Sequence, residues 1–256
     1  MNKFIVLSSQ RSGSTWFMDS LHNIDGINAS FELLIQKRVR KQDKKPLSRD
    51  AKYSRETIHS FPWYRRSILP PPAFRPFSVF KYLDIYFDYP GLNSFKLMHS
   101  QIVYYPEVLF YIKKNQIPII HLVRRNKLDV IISFRTRVIT GTTHLQNSKP
   151  EKSTQQFNFE PRKILNQIKR LEKSDKIFCR LLQILRIKHI EIIYEDLQSN
   201  PEEFNKVWDF LSIRPNQQIP QSSYKKIITS GHREILKNYN EIKDYLSNTE
   251  YSWMLR

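Results

Sequence analysis

The sequence predicts an α/β protein: a central, mainly parallel β-sheet flanked by helices in three layers. Three observations lead there. Short β-rich runs alternate with stretches of helical periodicity. The run 117–123 is nearly continuous in apolar residues, as a strand covered on both faces requires. With 256 residues, 40% apolar and 13% aromatic, the chain can bury one sizeable core and is not a disordered polymer. We therefore read residues 1–256 as a single domain.

The elements follow in order. Phe4-Ile5-Val6-Leu7 is the first strand, and a helix starts near Ser14 with Trp16, Phe17 and Leu21 facing inward. Residues 93–98 are the second strand and 117–123 the third, followed by a helix over about 127–138. Residues 160–188 read as one long helix, with Ile164, Ile168, Leu171, Phe178, Leu181, Leu182 and Leu185 near helical spacing. Cys179 falls on its apolar side, as an inert core thiol does. Residues 190–194 are a fourth strand. Asn200-Pro201-Glu202-Glu203 then combines a cap, a proline at the first helical position and two acids in the first turn.

Composition excludes several classes. One cysteine rules out an internal disulfide framework and a four-thiolate zinc site. Five glycines leave no room for a glycine-patterned repeat or a dinucleotide fingerprint. No apolar run approaches a membrane span, and the four-residue apolar run near the N-terminus is too short for a signal peptide. The expectation is a cytoplasmic chain able to lie against an anionic membrane. The formal net charge of +18 attracts polyanions and phosphate- or sulfate-bearing ligands. Half of that excess lies in 37–75, with 12 basic and 3 acidic residues. We read 37–90 as a basic insertion rich in proline and aromatics, and 140–159 as a second loop-rich segment.

The first motif is Ser8-Ser9-Gln10-Arg11-Ser12-Gly13-Ser14-Thr15-Trp16, between the first strand and the first helix. A loop there aims backbone N–H groups and a helix N-terminus at one spot, and small residues let an anion approach closely. The site is P-loop-like. Yet against G-x-x-x-x-G-K-[ST], Ser8 replaces the first glycine, Ser14 replaces the lysine, and the cation is Arg11 inside the loop. Nor does a magnesium-type aspartate end the second or third strand. The second motif closes the third strand with Arg124, Arg125 and Asn126, and places Ser133 two helical turns on. An arginine and a hydroxyl so spaced can grip one phosphate from two sides.

Together these motifs resemble the sulfotransferase family. Arg11 to Trp16 is similar to its 5′-phosphosulfate loop, and Arg125-Asn126, Asp129 and Ser133 match the spacing R-N-x-x-D-x-x-x-S of its 3′-phosphate motif. The pair Arg124-Arg125 before Lys127 is most similar to bacterial carbohydrate and glycolipid sulfotransferases. Tyr194-Glu195-Asp196-Leu197, Asn238-Tyr239 with Glu241-Ile242, and Thr249-Glu250-Tyr251 resemble later stretches of those enzymes. The resemblance covers about 3–32, 93–135 and 189–256.

It implies a P-loop-like fold and an enzyme that uses 3′-phosphoadenosine 5′-phosphosulfate (PAPS) to sulfate an acceptor hydroxyl, without a metal. Arg11, Ser12, Gly13, Ser14 and Thr15 would then hold the 5′-phosphosulfate, with Arg11 stabilising the leaving oxygen. Arg125 and Ser133 would hold the 3′-phosphate, and Trp16 would pack near the nucleotide or in the core. Glu32, inside the stretch Phe31 to Leu34, would be the base; an apolar setting favours proton acceptance. His99 competes from Lys96-Leu97-Met98-His99, but the family's lysine–histidine spacing is one residue shorter, so His99 should turn to the other strand face. His121 reads as a hydrogen-bonded core residue, Arg233 and Lys237 as solvated charges, and Glu195 and Asp196 as caps of the segment that follows them. The expected acceptor is a small molecule, glycan or glycolipid. Peripheral contact with an anionic membrane or polyanion fits the charge, and no stable nucleic-acid complex is expected. A P-loop-type kinase and a basic nucleic-acid-binding protein are the alternatives. The first lacks its lysine and magnesium carboxylate; the second leaves both phosphate motifs unused.

Overall fold

A computed structural model describes residues 2–35, 58, 74–140, 145–146, 156–216, 219–225 and 231–255. At its centre is a five-stranded sheet in the order β2-β3-β1-β4-β6, every pairing parallel. Its strands are β1 (Lys3–Ser8), β2 (Ile27–Glu32), β3 (Leu92–Met98), β4 (Ile119–Val123) and β6 (His189–Ile193). Central β1 is buried from Phe4 to Ser8, which is why its apolar run is unbroken.

Alternate residues of β1 feed two different cores. Phe4 and Val6 pack against α1 (Ser14–His22) and α8 (Phe204–Leu211), meeting Phe17, Met18, Leu21, Phe204 and Trp208. Ile5 and Leu7 face α2 (Pro76–Phe87), α4 (Glu107–Lys114) and the end of α6 (Pro161–Ile184). A third core joins α5 (Lys127–Thr140), α6 and α10 (Tyr239–Ser247) through Leu128, Ile132, Ile164, Ile168, Ile242 and Leu246. Short helices α3 (His99–Tyr104), α7 (Tyr194–Ser199) and α9 (His232–Ile235) begin at or just after strand or loop ends. A two-residue ladder pairs β5 (Leu145–Gln146) with β7 (Tyr224–Lys225).

The predicted three-layer α/β class is the one observed, with differences in detail. β2 was not anticipated: its sequence, Ile-Asn-Ala-Ser-Phe-Glu, is half polar because it is an edge strand. The 37–90 segment contributes one helix to the core. Residues 76–87 form the helix that leads from β2 into β3 and bury Val79, Leu83, Tyr86 and Phe87 in the core. The basic stretch 37–73 lies outside the described residues apart from Ile58, which is buried. Within 140–159, Phe157 is buried and bridges to Leu236. The long helix stops at Ile184, four residues short of the expected end, and Arg186 at φ 50° turns the chain into β6. Cys179 is only partly buried rather than a core thiol. Asn200 does cap its segment: its side chain accepts from the Glu202 N–H at 3.1 Å. Among the described residues no helix is long and apolar enough to cross a membrane.

The strand connections set the position of any site. From β1 the chain goes to β2 and β3 on one side, then to β4 and β6 on the other. The direction reverses between β1 and β4, and such a switch point opens a crevice at the carboxyl ends of those strands. Leu7, fully buried at the centre of the sheet, should be among the costliest residues to truncate. Leu7→Ala is expected to lose about 2–5 kcal/mol in urea unfolding, with an unchanged denaturant slope.

Candidate active site

The loop leaving β1 takes its shape from two left-handed residues, Arg11 at φ 63° and Gly13 at φ 85°. Ser12 closes it by donating from Oγ to the Ser9 carbonyl at 2.9 Å. Gly13 is required for space as well as conformation: a Cβ there would lie 2.2 Å from the Tyr194 ring. That ring is held edge-on by Trp16, 5.8 Å between centroids, and lies under the Arg124 guanidinium at 5.3 Å. The loop and α1 therefore sit directly on the start of α7.

At the end of β4, Arg124 ties four elements together. It donates to the Arg11 carbonyl at 3.2 Å and pairs with Asp129 of α5 at 2.7 Å, besides covering Tyr194. Asn126 is the N-cap of α5: its side chain accepts from the Asp129 N–H at 3.0 Å. Its amide also donates to the Met254 carbonyl, so the C-terminal segment is held at the same point. Glu195 receives the backbone N–H groups of both Arg125 (2.9 Å) and Asn126 (3.0 Å). His232 of α9 meets the second Asp129 oxygen at 2.7 Å. Burial alone would raise the Asp129 carboxyl; the His232 hydrogen bond and the Arg124 charge outweigh it and hold it at about 2.

This framework brings the two sequence motifs together. Arg11 donates from Nε to the Ser133 hydroxyl at 2.9 Å, across 122 residues of sequence. Burial, then Arg137, then Arg124 lower the Arg11 guanidinium to about 10, the mark of a locally positive, partly desolvated spot. Arg125 is placed differently from Arg11. Its guanidinium is 53% exposed and pairs with Asp196 at 2.8 Å. Glu195 and Asp196, expected to cap their own segment, instead brace the end of β4.

Glu32 lies across the crevice at the end of β2, in polar rather than apolar surroundings. Lys96 pairs with one oxygen at 3.0 Å, and Gln101 donates to the other at 3.0 Å. Lys96 also donates to the Thr15 hydroxyl at 3.3 Å, linking Glu32 to the loop. A register shift makes this possible. Ser30 pairs with Phe95 but Glu32 pairs with Lys96, so Phe31 is the extra residue of a bulge. In a regular ladder Phe31 would sit opposite Lys96 and Glu32 would point to the other face. His99 does turn to the opposite side of β3, where its Nε2 lies 3.2 Å from that of buried His121. Trp16 packs on Tyr194 and Phe204, and Arg233 and Lys237 are exposed.

The sequence gives Arg124 a place in the second motif but not its bracing role, and it marks neither Gln101 nor His232. Only the Asn126–Asp129 spacing carried a readable signal, that of an N-cap with its acid at the third helical position.

No protein-family model matches the chain, and no curated protein sequence matches it. Among solved structures, mouse sulfotransferase SULT7A1 complexed with PAP is similar over 98% of this chain and 87% of its own, at 11% identity and a TM-score of 0.47. A sulfotransferase from Alicyclobacillus acidocaldarius is similar over 96% of this chain and 91% of its own, at 9% identity and a TM-score of 0.44.

Gly13→Ala should destabilise the protein well beyond Gly26→Ala. Both glycines have positive φ, but a Cβ at Gly26 meets nothing within 4 Å. The backbone term common to both is about 1–2 kcal/mol; the excess at position 13, read from melting curves, measures the collision with Tyr194. The depressed carboxyl of Asp129 predicts an acid effect. Its contribution is complete above its ordinary 3.8 and is lost as pH falls towards about 2. Unfolding free energy should therefore drop by roughly 2 kcal/mol across that window in the wild type, and the drop should be absent in Asp129→Asn.

Proposed function

We propose that this chain is a PAPS-dependent sulfotransferase that sulfates an acceptor hydroxyl. The observation carrying the reading is the Arg11–Ser133 contact, which joins two phosphate-type motifs at the switch point of a parallel sheet. An arginine lowered by burial and by neighbouring arginines is a fitting receiver for the multiply charged, 3′-phosphorylated donor. Arg11, Ser12, Gly13, Ser14 and Thr15 hold the 5′-phosphosulfate. Ser133 holds the 3′-phosphate together with Arg125, which swings from its exposed pairing with Asp196.

In the transfer, the acceptor oxygen bonds to sulfur while the bond from sulfur to the bridging phosphate oxygen breaks. That electron pair leaves on the phosphate, and Arg11 offsets the charge gathering there. Glu32 accepts the hydroxyl proton. Lys96, bonded to both Glu32 and Thr15, sets the base beside the loop. The resemblance to the bacterial branch supports a carbohydrate or glycolipid acceptor, and the +18 charge supports an anionic one.

Calorimetric titration with 3′-phosphoadenosine 5′-phosphate, ATP and AMP tests the donor site. The 3′-phosphorylated nucleotide should bind tightest, and Arg11→Ala should weaken it about 10- to 100-fold, the scale of a lost charged hydrogen bond. Glu32→Gln should bind that nucleotide normally yet lose about 10²–10⁴ in transfer rate. Equal or absent binding of all three nucleotides would overturn the reading.

A further inference from the structure

A second set of ionisable groups lies behind β3 and β4, on the sheet face opposite α1. His99 opens α3 and His121 sits within β4, 6% and 0% exposed. Their Nε2 atoms face each other across 3.2 Å. His99 Nδ1 looks towards Asp175 Oδ1 on α6 at 3.8 Å, with the Ser174 hydroxyl at 3.4 Å. His121 Nδ1 looks towards Glu191 Oε2 on β6 at 3.8 Å and is buried without a hydrogen-bond partner. The Lys127 ammonium holds the other Asp175 oxygen, and Phe178 stacks on the His99 ring at 4.0 Å.

Two imidazoles here stand between two carboxylates. There are three gaps to fill: Glu191 to His121, His121 to His99, and His99 to Asp175. Two neutral imidazoles carry two N–H groups. With both protons on Nδ1, facing the carboxylates, the two Nε2 lone pairs confront each other. With one proton between the rings, either the His121 Nδ1 lone pair faces Glu191, or the His99 Nδ1 lone pair accepts from the Ser174 hydroxyl. A third proton would place a positive charge in a buried spot beside the Lys127 ammonium.

We propose that a divalent transition-metal ion of the zinc class binds between Nε2 of His99 and Nε2 of His121. Such an ion takes both lone pairs and leaves the His99 Nδ1–H for the Ser174 hydroxyl and the His121 Nδ1–H for Glu191, a carboxylate–histidine–metal support. Bonds of about 2.0–2.1 Å to nitrogens 3.2 Å apart subtend roughly 100°, close to tetrahedral. Asp175 offers a third ligand: one ligand atom from each of the three residues lies within 4.8 Å of the others. The site is structural, separate from the crevice, and independent of the sulfotransferase reading. It clamps the end of β3 to β4 and α6, beneath the strand ends that carry Lys96 and Arg124.

Chelator-treated protein titrated with Zn²⁺ and with Co²⁺ tests the proposal. One ion per chain should raise the melting temperature by several degrees. Co²⁺ should give intense visible d–d bands, and both signals should vanish in His99→Gln and in His121→Leu. X-ray absorption on the zinc-loaded wild type needs no variant and should show two imidazole nitrogens. No thermal shift or band in the wild type, signals that persist in both variants, or fewer than two imidazoles would each overturn it.

Discussion

Much of the crevice depends on the Arg124 guanidinium. It is largely enclosed: the Arg11 carbonyl, the Asp129 carboxylate and the Tyr194 ring each take one side, while its buried Nε makes no hydrogen bond and has Glu195 at 3.9 Å. A buried cation without such partners would cost several kcal/mol. With them, it becomes a joint between the loop after β1, the end of β4, the first turn of α5 and the start of α7. The left-handed turn at Arg11 presents the carbonyl that Arg124 needs. The absent side chain at Gly13 lets the Tyr194 ring lie close enough for Arg124 to cover it.

From this joint the positive charge of the crevice follows. Arg124 is neutralised by Asp129, while Arg11 is left beside two other arginines and turned towards Ser133. The two arginines therefore differ in setting: Arg124 is paired with a carboxylate, and Arg11 donates to a hydroxyl. Asp129 itself is secured from behind by His232, so α9 near the C-terminus contributes to the electrostatics of a motif formed 100 residues earlier.

Across the crevice, a single extra residue decides what β2 contributes. The bulge at Phe31 turns Glu32 onto the face of Lys96, and Gln101 fixes the second carboxylate oxygen while its own carbonyl accepts from the Met98 N–H. Lys96 is buried, yet it is paired and hydrogen-bonded, so the strand tolerates it. The same strand sends His99 to the other side, where a different ionisable cluster assembles. The end of β3 thus contributes to two ionisable clusters of different character from residues three apart.

The class of fold, the first strand and its loop, the long helix and the Asn200 cap were legible in the amino-acid order, because each rests on local pattern: alternation, apolar runs, caps and small residues between a strand and a helix. The two phosphate-type motifs were legible for the same reason. Edge strand β2 was not, since a half-polar hexapeptide carries no strong period, and the 76–87 helix was obscured by the prolines before it. What the sequence by itself determined is the presence and order of these pieces. Which arginine meets Ser133, which face Glu32 occupies, and whether Glu195 caps its own helix or braces β4 were decided only in three dimensions. Those outcomes depend on strand order and on one bulge in register, and neither leaves a mark on the residues nearby.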